Sequence, residues 1–332
     1  MALSLKQFNT YAAIVHFLTF VVVLVLYLSY KISRKKGKLN VYRPQLAGPI
    51  KDTVIPPVSP NTLSYCSTQG NVTVNPGRCQ VQPSFQQPAK VGTFNVLLSC
   101  MAFFLVTAIA HALYAWDGYI PGLSISKDTG FYTSAVKFEG WNPYRWIEYG
   151  ISASLMSAIL ATIQGSSDLN SVLLMTGVTC AMQFGGFTVE SLMRNTIVDM
   201  FSGLQKTTII GSTLGSWILF MFLWFCNLYS FFSLIIDVRN KYKGIKDPLT
   251  GKDIKIPSFV YFIVIVQLLN YALFGFVQMF QIVKNWNATS SSDLINFERI
   301  EKYYLMLSYA AKLGLAGGVS YGLILRTKPC KE

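Results

Sequence analysis

One lysine, Lys312, sits inside the apolar run Tyr303–Leu325, YYLMLSYAAKLGLAGGVSYGLIL. The run is long enough to cross a bilayer as a helix. A charged ammonium at that depth costs roughly 2.5–3.5 kcal/mol on insertion scales. Such an amine has to be paired, neutralised or chemically used. Held in a dry pocket, it can condense with a carbonyl to form a Schiff base. Glu148 is the best partner: a carboxylate about one turn inside another apolar stretch, followed by small polar residues. The pair would neutralise both charges. Ser308 lies four residues before Lys312 and so shares its helix face, where it could hydrogen-bond the nitrogen or the carboxylate. Ser152, four residues after Glu148, shares that acid's face.

The only two histidines, His16 and His111, also fall in apolar runs. A lone histidine on a helix is ordinarily a satisfied core residue. Two of them, in a chain otherwise stripped of intramembrane charge, point to a hydrogen-bonded polar cluster able to accept or store a proton. Gln183 and Glu190, seven residues apart, share a face of one run, and Glu190 near its end reads as an interface residue rather than a transport site. Arg145, Asp168 and Asp237 read as boundary charges. Trp217, Trp224, Phe225, Tyr261, Tyr271 and Phe274 could wall a flat apolar ligand, or could simply be packing residues. The glycine-rich LGLAGGVSYG that follows Lys312 permits close helix packing. No zinc spacing, phosphate loop or Ser/His/Asp arrangement is convincing.

The elements that must position these groups are apolar helices. The chain has 332 residues, 52% hydrophobic and 13% charged, about half the charged fraction of a soluble domain. This composition describes an all-α, multi-pass membrane protein. Seven candidate spans follow: Tyr11–Tyr30, Val91–Trp116, Trp146–Ile163, Ser171–Met193, Thr208–Ile236, Phe259–Ile282 and Tyr303–Leu325. The third is the weakest, diluted by Glu148, Ser152, Ser154 and Ser157, and it spans only if buried among the others. No cleavable signal is evident, because Tyr11–Tyr30 is of span length and lacks a small-residue cleavage site after it. The net charge of +13 sits in loops, as expected beside anionic lipid head groups rather than nucleic acid. The cluster Lys31–Lys38 reads as a stop-transfer anchor.

Residues 31–90 form one long connection with eight of the 13 prolines, a sequon at Asn71-Val72-Thr73, and Cys66 and Cys79, which could pair if the loop is non-cytosolic. Loops this long carry structure or function, and the Val/Gly/Pro texture of Thr73–Pro83 suggests short strands. The loops 117–143, 237–256 and 284–302 are shorter connections. Cys100, Cys180 and Cys226 read as packing residues. Residues 1–332 read as one domain. Sidedness conflicts: 18 of the 28 lysines and arginines follow odd-numbered spans or lie in the C-terminal tail. By positive-inside counting this places the N-terminus outside. The sequon and the Cys66/Cys79 pair point the other way.

A seven-helix bundle with a Schiff-base lysine in its last helix looks like a retinal protein, and the motifs narrow the likeness. The segment Arg145-Trp146-Ile147-Glu148-Tyr149-Gly150-Ile151-Ser152-Ala153-Ser154-Leu155-Met156 is similar to the third helix of the heliorhodopsins. Ile14-Val15-His16-Phe17 and Ala110-His111-Ala112-Leu113 match that family's two buried histidines. Ala181-Met182-Gln183-Phe184-Gly185 through Glu190 resembles its fourth helix, Pro257–Tyr261 the start of its sixth, and Leu307-Ser308-Tyr309-Ala310-Ala311-Lys312 its retinal-lysine helix. The 31–90 connection is longer than the family pattern.

The resemblance implies a rhodopsin-like bundle in which Lys312 binds all-trans retinal as a protonated Schiff base and Glu148 is the counterion. Ser308, Ser152, Tyr149, Met156, Gln183 and Phe274 would surround the chromophore, with His16 and His111 in a polar cluster beside the counterion. It further implies an inverted topology, with the N-terminus cytosolic and the C-terminus outside, and a homodimer. Outward proton pumps carry a second carboxylate three turns beyond the counterion. Here that position, eleven residues after Glu148, is Ile159, which cannot donate a proton. A slow photocycle and a sensory role, read by a cytosolic signalling partner, follow from that. The alternatives are a light-gated proton or ion conductor of the same fold, with Glu190 and loop acids lining a path, and a non-photochemical transporter or scaffold.

Overall fold

A computed structural model describes residues 4–29, 38–45, 86–119, 124–126, 129–164, 168–202, 206–242, 258–286 and 297–327. Seven long helices dominate: α1 (Leu5–Ser29), α2 (Val96–Ala115), α3 (Pro143–Ile163), α4 (Leu169–Ser202), α5 (Lys206–Tyr242), α6 (Ser258–Trp286) and α7 (Phe297–Thr327). Each matches one expected span, and most run past the apolar stretch, because a helix does not have to stop at the lipid boundary. Consecutive helices pack side by side, and α7 closes the ring against α1 and α2. Leu5–Ser29, Val96–Ala115, Pro143–Ile163, Leu169–Met193 and Phe259–Lys284 are long and apolar enough to cross a membrane, while α5 contributes the shorter apolar stretch Trp217–Ser233.

The serine-diluted α3 lies at the centre. Of those five spans it is the most enclosed, with 72% of its apolar window buried against 17% for α1. Burial among neighbours is what lets a polar sequence cross. Asn142 starts this helix by accepting a hydrogen bond from the Arg145 N–H at 3.1 Å, and Pro143 occupies the first turn, where its missing N–H costs nothing. Phe103 and Phe104 of α2, Ile159 and Leu160 of α3, Ile263 of α6 and Leu315 of α7 form the middle of the apolar core.

The second span begins later than its hydropathy suggests. Residues 86–95 are strand β2 (Gln86–Asn95), which pairs antiparallel with β1 (Lys38–Gln45) from Lys38↔Asn95 to Gln45↔Gln86. Strand pairing satisfies the backbone there. Asn95 then caps α2 by accepting from the Leu98 N–H at 3.1 Å. The ladder shifts register between Arg43 and Gln45, around Pro44, which has no N–H to give. The 31–90 connection therefore does carry strands, at its two ends. The Thr73–Pro83 texture that suggested them lies outside the described residues, as do the sequon at Asn71, Cys66, Cys79 and all but the last residue of Lys31–Lys38.

The 117–143 connection is more structured than expected. It holds a 3-10 turn (Asp117–Tyr119), paired short strands β3 (Ser124–Ser126) and β4 (Thr129–Gly130), and one helical turn (Phe131–Ser134) continuing as a π turn (Ala135–Glu139). Gly140 ends it at φ 68°, a left-handed conformation that favours glycine. Tyr132 from this segment stacks on Tyr114 of α2 at 4.5 Å between ring centroids, closing that end of the bundle with Leu5 and Phe297.

Candidate functional site

Lys312, four residues after Ser308 on α7, points into the bundle and is 1% exposed. Its Nζ donates to Glu148 Oε1 at 2.8 Å, to Thr107 Oγ1 at 2.7 Å and to Ser308 Oγ at 2.8 Å. An ammonium has three hydrogens, and all three are used. Thr107 in turn donates to Glu148 Oε1. The expected pair, Lys312 with Glu148, is thus formed across α7 and α3, with both partners buried. A buried ion pair is costly unless further hydrogen bonds support it, and here two hydroxyls take the other two ammonium hydrogens.

Beside this pair lies a cavity bordered by α3, α4, α5, α6 and α7. Lys312 and Ser308 form part of its wall, with Tyr149, Ser152, Met156, Gln183 and Phe274. Of the aromatic residues proposed as walls, Trp224, Tyr271 and Phe274 line it. Phe225 and Tyr261 instead face outward, and Trp217 packs with Val189, Phe220 and Ile282. The indole of Trp224 donates to the Tyr271 carbonyl at 3.1 Å, which requires the ring to lie on the α6 backbone. Gly275 allows this, because a Cβ there would come within 2.8 Å of the ring. Ser152 Oγ, also on the wall, bonds no protein atom among the described residues.

His16 and His111 do not line the cavity. They lie beside each other on α1 and α2, ring centroids 5.4 Å apart, with Tyr309 of α7 edge-on to His16 at 5.1 Å. His16 Nδ1 meets the Ala12 carbonyl at 2.8 Å, and His111 Nδ1 meets Asn9 Oδ1 at 2.9 Å. Asn9 then donates to the Tyr132 hydroxyl at 3.0 Å. His111 and Thr107 are one turn apart on the same face of α2. That spacing was the available signal for Thr107, which sequence reasoning missed.

Arg145 and Glu190 correct two expectations. Neither is a boundary or interface residue: Arg145 is 2% exposed and Glu190 0%. Arg145 bridges Glu190 of α4 and Glu301 of α7 through its two terminal nitrogens. Asn142 completes the group, its N–H donating to Glu190 Oε2 at 3.1 Å and its amide to Glu301 Oε1 at 2.7 Å. Position near a span end concealed this, because a helix end is buried wherever a structured loop covers it. Asp168 does sit at a boundary, capping α4 through the Ser171 N–H at 2.9 Å. The side chain of Asp237 lies outside the described residues.

In chemical terms the site offers an amine already facing a carboxylate, at the wall of a largely aromatic cavity that an elongated apolar carbonyl compound could enter. A family model described as Heliorhodopsin matches residues 58–324. No curated protein matches the chain.

Proposed function

This chain belongs to the heliorhodopsin family, and from that premise we propose that Lys312 Nζ carries all-trans retinal as a protonated Schiff base, with Glu148 as its counterion and light sensing as its purpose. The chain is an integral, multi-pass membrane protein, a seven-helix rhodopsin-like bundle whose chromophore is retinal. One observation carries the residue assignment: a buried lysine 2.8 Å from a buried carboxylate, at the wall of a cavity lined by aromatic rings. The fit extends along the cavity. Aromatic walls from Tyr149, Trp224, Tyr271 and Phe274 suit a conjugated apolar chain, and Ser152 offers a hydroxyl with no partner among the described residues.

Retinal supplies absorption of visible light and a double bond that isomerises. The rest falls to this chain. Of the three hydrogens on Lys312 Nζ, one survives in a protonated Schiff base, so two of its three acceptors lose their bond. Glu148 is the one that keeps it, because a charge-assisted bond to a carboxylate is the strongest on offer. Thr107 holds Glu148 Oε1 in place. With retinal bound, Lys312 Nζ would hold one proton facing Glu148, and Glu148 or the histidine cluster would accept that proton after illumination. Ile159, eleven residues on and fully buried, offers no proton in return. Recovery is then slow, a lit state accumulates, and sensing suits this better than pumping or enzymatic turnover.

The same reading places the N-terminus in the cytosol and the C-terminus outside. It takes residues 1–332 as one domain, pairs the chain with a second copy in a homodimer, and assigns the light signal to a cytosolic partner. The test is direct. Purified protein given all-trans retinal should acquire a visible absorption band, and a colourless product would end the proposal. Illuminated cells under patch clamp should pass no current. A current that reverses with the proton gradient would favour the conductor of the same fold.

A further inference from the structure

Glu148 binds the amine, yet three residues earlier on the same helix Arg145 holds a second buried charge cluster that the mechanism above does not use. Two aromatic rings separate them. Trp146 and Tyr304 both line the cavity, and both also face the guanidinium, whose carbon lies 3.9 Å from the Tyr304 ring centroid and 5.0 Å from that of Trp146. The two rings meet edge-on at 6.2 Å. One aromatic wall therefore has the chromophore cavity on one side and Arg145 on the other.

Neither ring can move alone. Trp146 adjoins Arg145 in sequence, and its indole rests against the α4 backbone at Gly186, where any Cβ would overlap the ring. Tyr304 is held at both ends: its carbonyl accepts from the Tyr149 hydroxyl at 3.0 Å, and its own hydroxyl donates to Gln278 Oε1. The Tyr149 ring, at the other end of that bond, lies 5.4 Å from Lys312 Nζ. Glu301 is three residues before Tyr304, on the same helix. Displacement next to the lysine thus reaches Tyr304 through Tyr149, and reaches Arg145 through Tyr304 and Trp146. A guanidinium stacked on desolvated rings is held there with appreciable energy. Its bonds to two buried carboxylates make it respond by re-pairing rather than by drifting.

Resting on the retinal assignment above, we propose that Trp146 and Tyr304 are positioning residues that couple the cavity to the Arg145 cluster. On this proposal, light at Lys312 changes how Arg145 pairs with Glu190 and Glu301 and so loosens the joint between α3, α4 and α7.

Light-minus-dark infrared difference spectra of the whole retinal-loaded protein, grown with arginine labelled with carbon-13 at the guanidinium carbon, test this. The native sequence should show an isotope-shifted guanidinium band that Arg145→Lys removes. Trp146→Leu and Tyr304→Leu should each cut the band at least fivefold relative to the chromophore bands of the same spectrum. Tyr304→Phe, which keeps the stacked ring, should retain it. Absence of the band in the native protein overturns the coupling without recourse to any variant, and so does a band of undiminished size in the two leucine variants. Failure to form any visible pigment is a different result, and would count against the retinal assignment itself.

Discussion

Two buried charge clusters lie three residues apart on α3 and differ in how completely their carboxylates are satisfied. Around Arg145, one cation faces two carboxylates, and each of the four carboxylate oxygens receives a bond from Arg145 or Asn142. Around Glu148, one cation faces one carboxylate, the bonds from Lys312 and Thr107 both fall on Oε1, and the remaining partners are hydroxyls able to turn. A cavity adjoins the second cluster through Lys312 itself. Saturation by fixed donors suits anchoring, and rotatable hydroxyls around one amine suit a group whose proton has to move. Burial alone does not separate the two, since Arg145 and Lys312 are both almost wholly enclosed.

Substitutions can break this contrast. The largest effect is expected at Lys312. Lys312→Ala should abolish the visible band altogether, and an absorption spectrum with colour intact would mean that the linkage is elsewhere. Removing the cation of the other cluster should act on stability instead. Arg145→Met leaves two buried carboxylates unpaired, at a cost on the order of 3–5 kcal/mol. Thermal unfolding followed by loss of colour should occur well below the native temperature, with the band itself little moved beforehand. Glu148→Gln takes the negative charge from beside the nitrogen, where it holds the ground state more firmly than the excited one. The band should shift to longer wavelength, and an unaltered spectrum would remove Glu148 as counterion. Thr107→Val should have the smallest effect. It deletes one hydroxyl from the Lys312 group at about 1–3 kcal/mol, with a spectral shift below that of Glu148→Gln. A larger shift would make Thr107 the primary partner of the nitrogen.

What was legible in the sequence was whatever a rule of spacing could reach. Lys312 and Ser308 share a face because they are four residues apart, and an intramembrane amine demands an acid. That demand found Glu148 from the far side of the bundle. Rules of position misled at Arg145 and Glu190, where a residue near a span end was taken to face the interface. The structured 117–143 connection covers that end, with Tyr132 stacked on Tyr114 and Asn142 bonded to both carboxylates. Hydropathy likewise ran the second span back into Val91, because the residues of β2 are apolar enough to read as helix until β1 is known to pair with them.

The sequence by itself determined the number of spans, the amine and its acid, since the cost of charge in a low-dielectric layer leaves few arrangements open. Only the tertiary structure decided that Thr107 joins that pair. It likewise decided that Glu301 meets Arg145 from 156 residues away, and that Trp146 and Tyr304 stand between the two clusters. Those contacts depend on which helix faces which, and the packing that sets helix rotation is a property of the whole bundle rather than of any one segment.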